Sequence, residues 1–147
     1  MKKTVVALAV LAAIATFSTA GYSGKASKPS SGGSSIALAS VLSADGTTRL
    51  AATMKPALGN RVTFATTVGS IAGWEYPMVD LECRQDGAIV FSQLDKPDAA
   101  FLLGGGGSVW LNTGGPANCT ADLDAYGSKG GTWSVRLLSE TSFDATG

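Results

Sequence analysis

Histidine and cysteine, which often act in catalysis or bind metal ions, are absent or scarce in this chain, so acidic residues are the main candidates for such roles. Its 147 residues include no histidine and only two cysteines, Cys83 and Cys119. The commonest metal ligand and the usual general base are therefore missing. Asp80 lies three residues before Cys83, while Asp122 and Asp124 lie three and five residues after Cys119.

These acidic residues allow two kinds of chemistry. A carboxylate pair drawn from Glu75, Asp80 or Glu82 could hydrolyse a glycosidic bond. Asp80, Asp122 and Asp124 could instead help to hold Ca²⁺, which prefers oxygen ligands, but the chain has no contiguous calcium loop. Acidic residues that alternate along a strand are more often a solvated face. We therefore predict no enzyme activity, no catalytic residues, no metal and no cofactor.

The cysteines lie in segments with the pattern of half-buried strands. From Val79 to Arg84 apolar and charged residues alternate, and residues 117–125 alternate in the same way around Cys119. Asp86-Gly87 follows the first segment and suits a tight hairpin turn. Two cysteines in an exported chain most simply form one disulfide, and the alternative is two free buried thiols.

A disulfide would also fix which charged residues face each other. If the two strands are antiparallel neighbours and the cysteines are directly opposite, Asp80 faces Asp122 on the solvent side. Like charges in that position repel. Arg84 or Arg136 could neutralise them, or Ca²⁺ could be held with the help of Asp124.

The rest of the chain predicts an all-β fold. Seven or eight short strands with regular turn signals, and no segment of helical periodicity, indicate a β-sandwich. The predicted link joins the third and sixth strands, whereas antibody domains carry their first cysteine one strand earlier. We also predict a brief strand at residues 109–111 and a last strand at 132–143. In that last strand Trp133, Val135 and Leu137 are expected to face the core.

Four aromatic residues outside the predicted core are candidates for ligand binding: Trp74, Tyr76, Trp110 and Tyr126. Recognition on a rigid sandwich usually lies on loops and their edges, and exposed aromatic rings stack on sugars and anchor protein contacts. The alternative for Trp74 and Trp110 is that they close the open ends of the core.

The first 35 residues have the pattern of an export signal followed by a linker, and not that of a folded domain. Residues 1–20 have a basic start, an apolar stretch and small residues at the end, which is the layout of a signal peptide; the apolar stretch is short for a membrane span. Residues 21–35 read as a flexible Gly/Ser-rich tether or a disordered tail, and 36–147 as the folded domain. Cleavage would leave nine basic and eleven acidic residues, without the basic patch that nucleic acid requires. We expect a secreted protein with no membrane insertion after cleavage.

Several spaced motifs also resemble a known group of domains. They lie at residues 58–64, 79–87, 101–105, 110 and 113–123. In these motifs residues 35–143 resemble immunoglobulin-like domains of actinobacterial phage virion and tail-associated proteins, and of related secreted actinobacterial proteins. The group offers no agreed binding residues, and a signal peptide departs from a virion protein assembled in the cytoplasm.

The resemblance implies an immunoglobulin-like antiparallel β-sandwich of seven to eight strands with one disulfide. It also implies a non-catalytic module for display or adhesion, which would bind cell-surface carbohydrate or another protein. The alternative is a structural subunit of an extracellular filament or surface layer, which would self-associate by adding strands to a neighbour's sheet edge.

Overall fold

The computed structural model describes residues 33–147, except for the side chain of Lys129. The predicted signal peptide and the predicted tether up to residue 32 lie outside the described residues. Ser34 is buried, and its hydroxyl accepts a hydrogen bond from the backbone N–H of Gly69. The folded domain therefore begins within the last residues of the segment that composition predicts to be a tether.

The regular secondary structure of the described chain is almost all β-strand. In order, its elements are β1 (Ser35–Leu42), β2 (Arg61–Thr67), β3 (Tyr76–Gln85), β4 (Ala88–Asp95), β5 (Phe101–Leu102), α1 (Trp110–Thr113), β6 (Ala117–Lys129) and β7 (Thr132–Ala145). The predicted all-β class is confirmed. Among residues 33–147, no helix is long and apolar enough to cross a membrane.

The strands form two antiparallel sheets that pack as a sandwich. One sheet has the order β1-β2-β5, and the other has the order β4-β3-β6-β7. Strands β1, β2 and β5 follow the A, B and E strands of immunoglobulin domains, and β3, β6 and β7 follow C, F and G. Strand β4 pairs with β3, so it extends the larger sheet instead of joining the smaller one. The predicted immunoglobulin-like sandwich is confirmed.

The disulfide lies within the larger sheet. Cys83 of β3 and Cys119 of β6 are directly opposite in the strand register, and both are fully buried. This confirms the predicted link between the third and sixth strands. The cysteines are 36 residues apart in the sequence. A crosslink that closes a loop of this length contributes about 2–4 kcal/mol, mainly by restricting the unfolded chain.

Two glycine-containing turns set the hairpins of the larger sheet. Asp86 and Gly87 have φ angles of 47° and 84°, which confirms the predicted tight turn between β3 and β4. Gly130 and Gly131 have φ angles of 60° and 81° and join β6 to β7. Because both central residues of each turn have positive φ, the turns match the twist of the strands that they connect.

The predicted strand at residues 109–111 is wrong, because the chain forms the short helix α1 there. This segment lies between two glycine-rich loops, and no described strand pairs with it. The helical turn places the ring of Trp110 in the core at 0% exposure. Its indole Nε1 donates a hydrogen bond of 2.9 Å to the carbonyl of Gly115. The polar atom of the ring is thus satisfied where water is excluded.

Candidate functional site

The outer face of the larger sheet, which points away from the core, carries the candidate site. Along β6 the residues of the same parity as Cys119 are buried, so their neighbours in sequence point outward. At one end of this face Tyr76 and Tyr126 lie directly opposite each other. Their rings are parallel within 5° and their centroids are 6.3 Å apart. The ring of Trp133 lies 6.2 Å from that of Tyr76. We call these three residues the aromatic cluster.

Trp133 reaches this face because strand β7 contains a β-bulge. The register between β6 and β7 skips Leu138, which is buried, so one extra residue is inserted into β7. The insertion reverses the alternation for the preceding part of the strand. Trp133, Val135 and Leu137 consequently point outward, with exposures of 60%, 54% and 54%. The prediction that these three residues face the core is wrong.

Beside the aromatic cluster lies a group of acidic residues, the carboxylate cluster, made up of Asp80, Asp122, Asp124 and Glu140. Asp80 of β3 is directly opposite Asp122 of β6, which is in turn opposite Glu140 of β7. The predicted facing of Asp80 and Asp122 is confirmed. Asp124 lies two residues along β6 toward Tyr126 and is only 8% exposed. Three adjacent strands therefore contribute like charges to one patch.

This crowding makes the carboxyl groups harder to ionise. Partial burial, followed by repulsion from Asp124, Glu140 and Asp80, raises the pKa of Asp122 from 3.8 to about 6. Burial, with a smaller contribution from Glu82, raises the pKa of Asp80. The pKa of Asp124 is also raised, first by burial and then by the charge of Asp80. At neutral pH the patch holds charges that repel each other.

The two arginines proposed to neutralise these charges do not reach the cluster. Arg84 pairs with Glu82, which is the one ion pair among the described side chains. Arg136 lies on the opposite face of β7, where it donates to the carbonyl of Ser70 and covers the ring of Trp74 at 5.3 Å. The predicted neutralisation holds in part for Glu82 and is wrong for the carboxylate cluster. In the described part of the chain, no group of three or more acidic, cysteine or histidine side chains is placed to hold a metal ion.

The four aromatic residues predicted for ligand binding take different positions. Tyr76 and Tyr126 come together on the outer face. Trp74 is half-buried against the core, and Trp110 is fully buried, which agrees with the alternative that these two rings close the core. Sequence reasoning missed Trp133. The one local signal of the bulge was the pair Leu137 and Leu138 in β7. Two consecutive apolar residues in a strand allow either one to face the core, so the alternation of faces can change there.

A concavity lies at the other end of the same sheet, away from the aromatic cluster. It has a volume of about 400 Å³ and is lined by residues of both charges, including Lys55 and Asp144. Several of its polar groups are bonded within the protein: the carboxylate of Asp144 accepts from Asn118, and the amide of Gln85 donates to the carbonyl of Pro116. These bonds tie the loop before β6 to the sheet. The end of the outer face that carries the aromatic and carboxylate clusters is therefore the better candidate for ligand binding.

Comparison of the chain with protein-family models, characterised proteins and solved structures gave no match. The resemblance to phage-associated and secreted actinobacterial domains stays a prediction.

Proposed function

We propose that the protein is a secreted, non-catalytic binding module that attaches to cell-surface carbohydrate through the outer face of its larger sheet. The observation that carries the proposal is the aromatic cluster. Its three rings lie side by side on the surface, and Trp133 is 60% exposed although a large aromatic side chain gains free energy from burial. An exposed group of aromatic rings on a rigid sheet is typical of a recognition surface.

The neighbouring carboxylates suit the same ligand class. A sugar ring offers an apolar C–H face, which can pack on an aromatic ring, and hydroxyl groups around its edge. Carboxylate oxygens accept hydrogen bonds from such hydroxyls, and bonds to a charged acceptor are stronger than neutral ones. Aromatic and acidic side chains on adjacent rows of one sheet therefore complement the two surfaces of a sugar.

Two further features support a secreted module. The Cys83–Cys119 disulfide indicates an oxidising compartment, as is usual for exported proteins. Residues 1–20 have the sequence layout of a signal peptide. The proposal of a non-catalytic role is supported by the sequence, since the chain has no histidine and both cysteines are committed to the disulfide.

A binding assay with two variants tests the proposal. The disulfide-bonded protein is applied to an array of cell-wall and surface glycans, and each hit is titrated by calorimetry. Trp133→Ala should weaken binding about tenfold or more, because truncating a central aromatic anchor typically costs over 1 kcal/mol. Leu111→Ala is the matched control, since Leu111 is similarly exposed at 57% but lies in α1.

Two results would overturn the proposal. One is the absence of any glycan binding by the wild-type protein. The other is an equal loss of affinity in the Trp133 and Leu111 variants, which would mean that the aromatic cluster has no special role. Circular dichroism of each variant confirms that its fold is intact.

A second candidate function is a filament or surface-layer subunit, and one observation favours it. Strand β7 is an edge of the larger sheet and carries Val135 and Leu137 at 54% exposure each. An exposed apolar edge can pair with another chain. Sedimentation velocity over a range of concentrations tests this idea, and a protein that stays monomeric throughout excludes it.

A further inference from the structure

The outer face of the larger sheet has a marked charge imbalance. The strand register places six acidic side chains on it: Asp80, Glu82, Asp122, Asp124, Glu140 and Asp144. Among the described side chains, only Arg84 supplies a positive charge to this face, and it is already paired with Glu82. A ligand that carries positive charge would complement the face, whereas an anionic ligand would be repelled.

Two carboxylates of the cluster are also unsatisfied. Asp124 is only 8% exposed, with Met78 and Leu137 as its register neighbours, and no described group donates a hydrogen bond to its carboxylate, whose oxygens keep some contact with solvent. One oxygen of Asp122, Oδ1, is buried without a hydrogen-bond partner among the described residues. A buried carboxylate oxygen without a partner is costly, because it loses its hydrogen bonds to water and gains none in return; this cost applies in full to Oδ1 of Asp122 and in part to Asp124. These atoms are suited to a donor that comes from outside the chain.

The unsatisfied carboxylates are adjacent to the aromatic cluster. Asp124 precedes Tyr126 by two residues on the same face of β6. The charges of Asp124 and Asp80 contribute to the raised pKa of the Tyr126 phenol, although burial is the larger cause, so they lie within electrostatic range of the ring. A cation held at Asp124 would therefore also lie near aromatic faces, where the ring quadrupole adds to its attraction.

We infer that the ligand of the outer face is an amino sugar with a free, protonated amine, whose ring packs on the aromatic cluster and whose ammonium group binds Asp124 and its neighbours. The inference rests on the proposed function and names the substrate class of the same site. The lysine side chains of a protein could supply the same charge. The sugar is favoured because the aromatic cluster, with Trp133 60% exposed and the Tyr76 ring 6.2 Å from it, offers more rigid aromatic surface than a flexible lysine chain would cover.

Matched ligands test the inference on the unmodified protein. Oligomers of glucosamine, N-acetylglucosamine and glucose of equal length are compared by calorimetry, together with a lysine oligopeptide. Glucosamine should bind at least about tenfold more tightly than the other two sugars, since only it carries a charge. Its advantage should shrink as ionic strength rises from about 0.05 to 0.5 M, because salt screens partly exposed charges.

Variants locate the charge recognition. Asp124→Asn and Asp80→Asn keep the side-chain shape and remove one charge each. Both should reduce glucosamine affinity about tenfold and leave N-acetylglucosamine affinity nearly unchanged. Asp98→Asn is the control, because Asp98 is an exposed acidic residue in the loop after β4. Its removal should change affinity less than about twofold.

The possible outcomes separate this inference from the proposed function. Equal binding of glucosamine and N-acetylglucosamine, with loss of both in Trp133→Ala, overturns the amino-sugar inference and leaves the carbohydrate module intact. Tighter binding of the lysine peptide than of any sugar overturns the inference in favour of a basic protein partner. Absence of binding to any sugar overturns both.

Discussion

Asp122→Asn should stabilise the protein at neutral pH and leave its stability unchanged in acid. The substitution keeps the shape of the side chain but removes a half-buried charge that Asp80, Asp124 and Glu140 repel. An asparagine resembles the protonated carboxyl group, which is the form that the folded protein prefers. The variant therefore measures directly how much the crowded carboxylates cost.

The sign and size follow from the pKa of Asp122, which folding raises from 3.8 to about 6. The unfolded chain loses this proton near pH 4 and the folded protein near pH 6, so the contribution to stability is present below about pH 4 and is lost as the pH rises through about 6. Two pKa units correspond to about 3 kcal/mol. Because the group is only half-buried, solvent screening reduces the expected effect to about 1–2 kcal/mol.

The assay is urea denaturation of the disulfide-bonded protein at several pH values between about 4 and 8, followed by circular dichroism. The free energies of unfolding of Asp122→Asn and wild type should agree near pH 4 and separate by about 1–2 kcal/mol above pH 7. Asp98→Asn controls for the change in net charge and should track the wild type. A variant that is no more stable than wild type at pH 8, or that differs equally at all pH values, would refute the reasoning.

Asp45 provides a comparison of opposite sign. Its carboxylate accepts hydrogen bonds from the hydroxyl of Ser43 and from the backbone and hydroxyl of Thr47, which lower its pKa from 3.8 to about 2. The ionised Asp45 carboxylate therefore stabilises the folded protein above about pH 4, and this contribution to the free energy of unfolding is lost as the pH falls through about 2. Asp45→Asn should therefore destabilise the protein at neutral pH, and its denaturation curve should converge with that of wild type in strong acid.

Three further predictions concern the architecture. Replacing both cysteines by alanine should lower the free energy of unfolding by about 2–4 kcal/mol, and adding a reductant should then have no effect on the urea midpoint. Gly104→Ala should destabilise more than Gly106→Ala by at least about 1 kcal/mol in the same assay, since both have positive φ but only at 104 would the new methyl group collide with Leu58. Trp110→Phe should cost about 2–3 kcal/mol without changing ligand affinity, whereas Trp133→Ala should do the reverse; a loss of affinity in the Trp110 variant would contradict its placement in the core.

Much of the larger sheet was predictable because its alternating segments, its two cysteines and its turn residues define which strand residues are opposite each other. The segments around Cys83 and Cys119 alternate strictly, and side chains two residues apart on a strand must share a face. With only two cysteines, a disulfide fixes which residues are opposite, so the facing of Asp80 and Asp122 follows from counting. Asp86-Gly87 likewise fixes a turn locally, because the backbone angles of the hairpin demand residues that accept positive φ.

The candidate site depended on features that no local pattern fixes. The direction of Arg136 was decided by an acceptor that folding placed near it, the carbonyl of Ser70, which lies 66 residues earlier in the chain. Trp110 lies in the core on the short helix α1, which the local residue pattern did not indicate. In both cases the sequence states the chemistry of the side chain, and only the packing decides what it contacts.

The aromatic cluster shows the division between sequence and tertiary structure most clearly. The sequence determined that β7 alternates and that Tyr76 and Tyr126 lie outside the core. It could not determine which face Trp133 takes, since Leu137 and Leu138 are both apolar and either can be buried. Packing against the second sheet selected Leu138, and the resulting one-residue bulge reversed every side chain from Trp133 to Leu137. A single inserted residue changes the parity of a whole segment, which is why the tertiary structure alone created this surface.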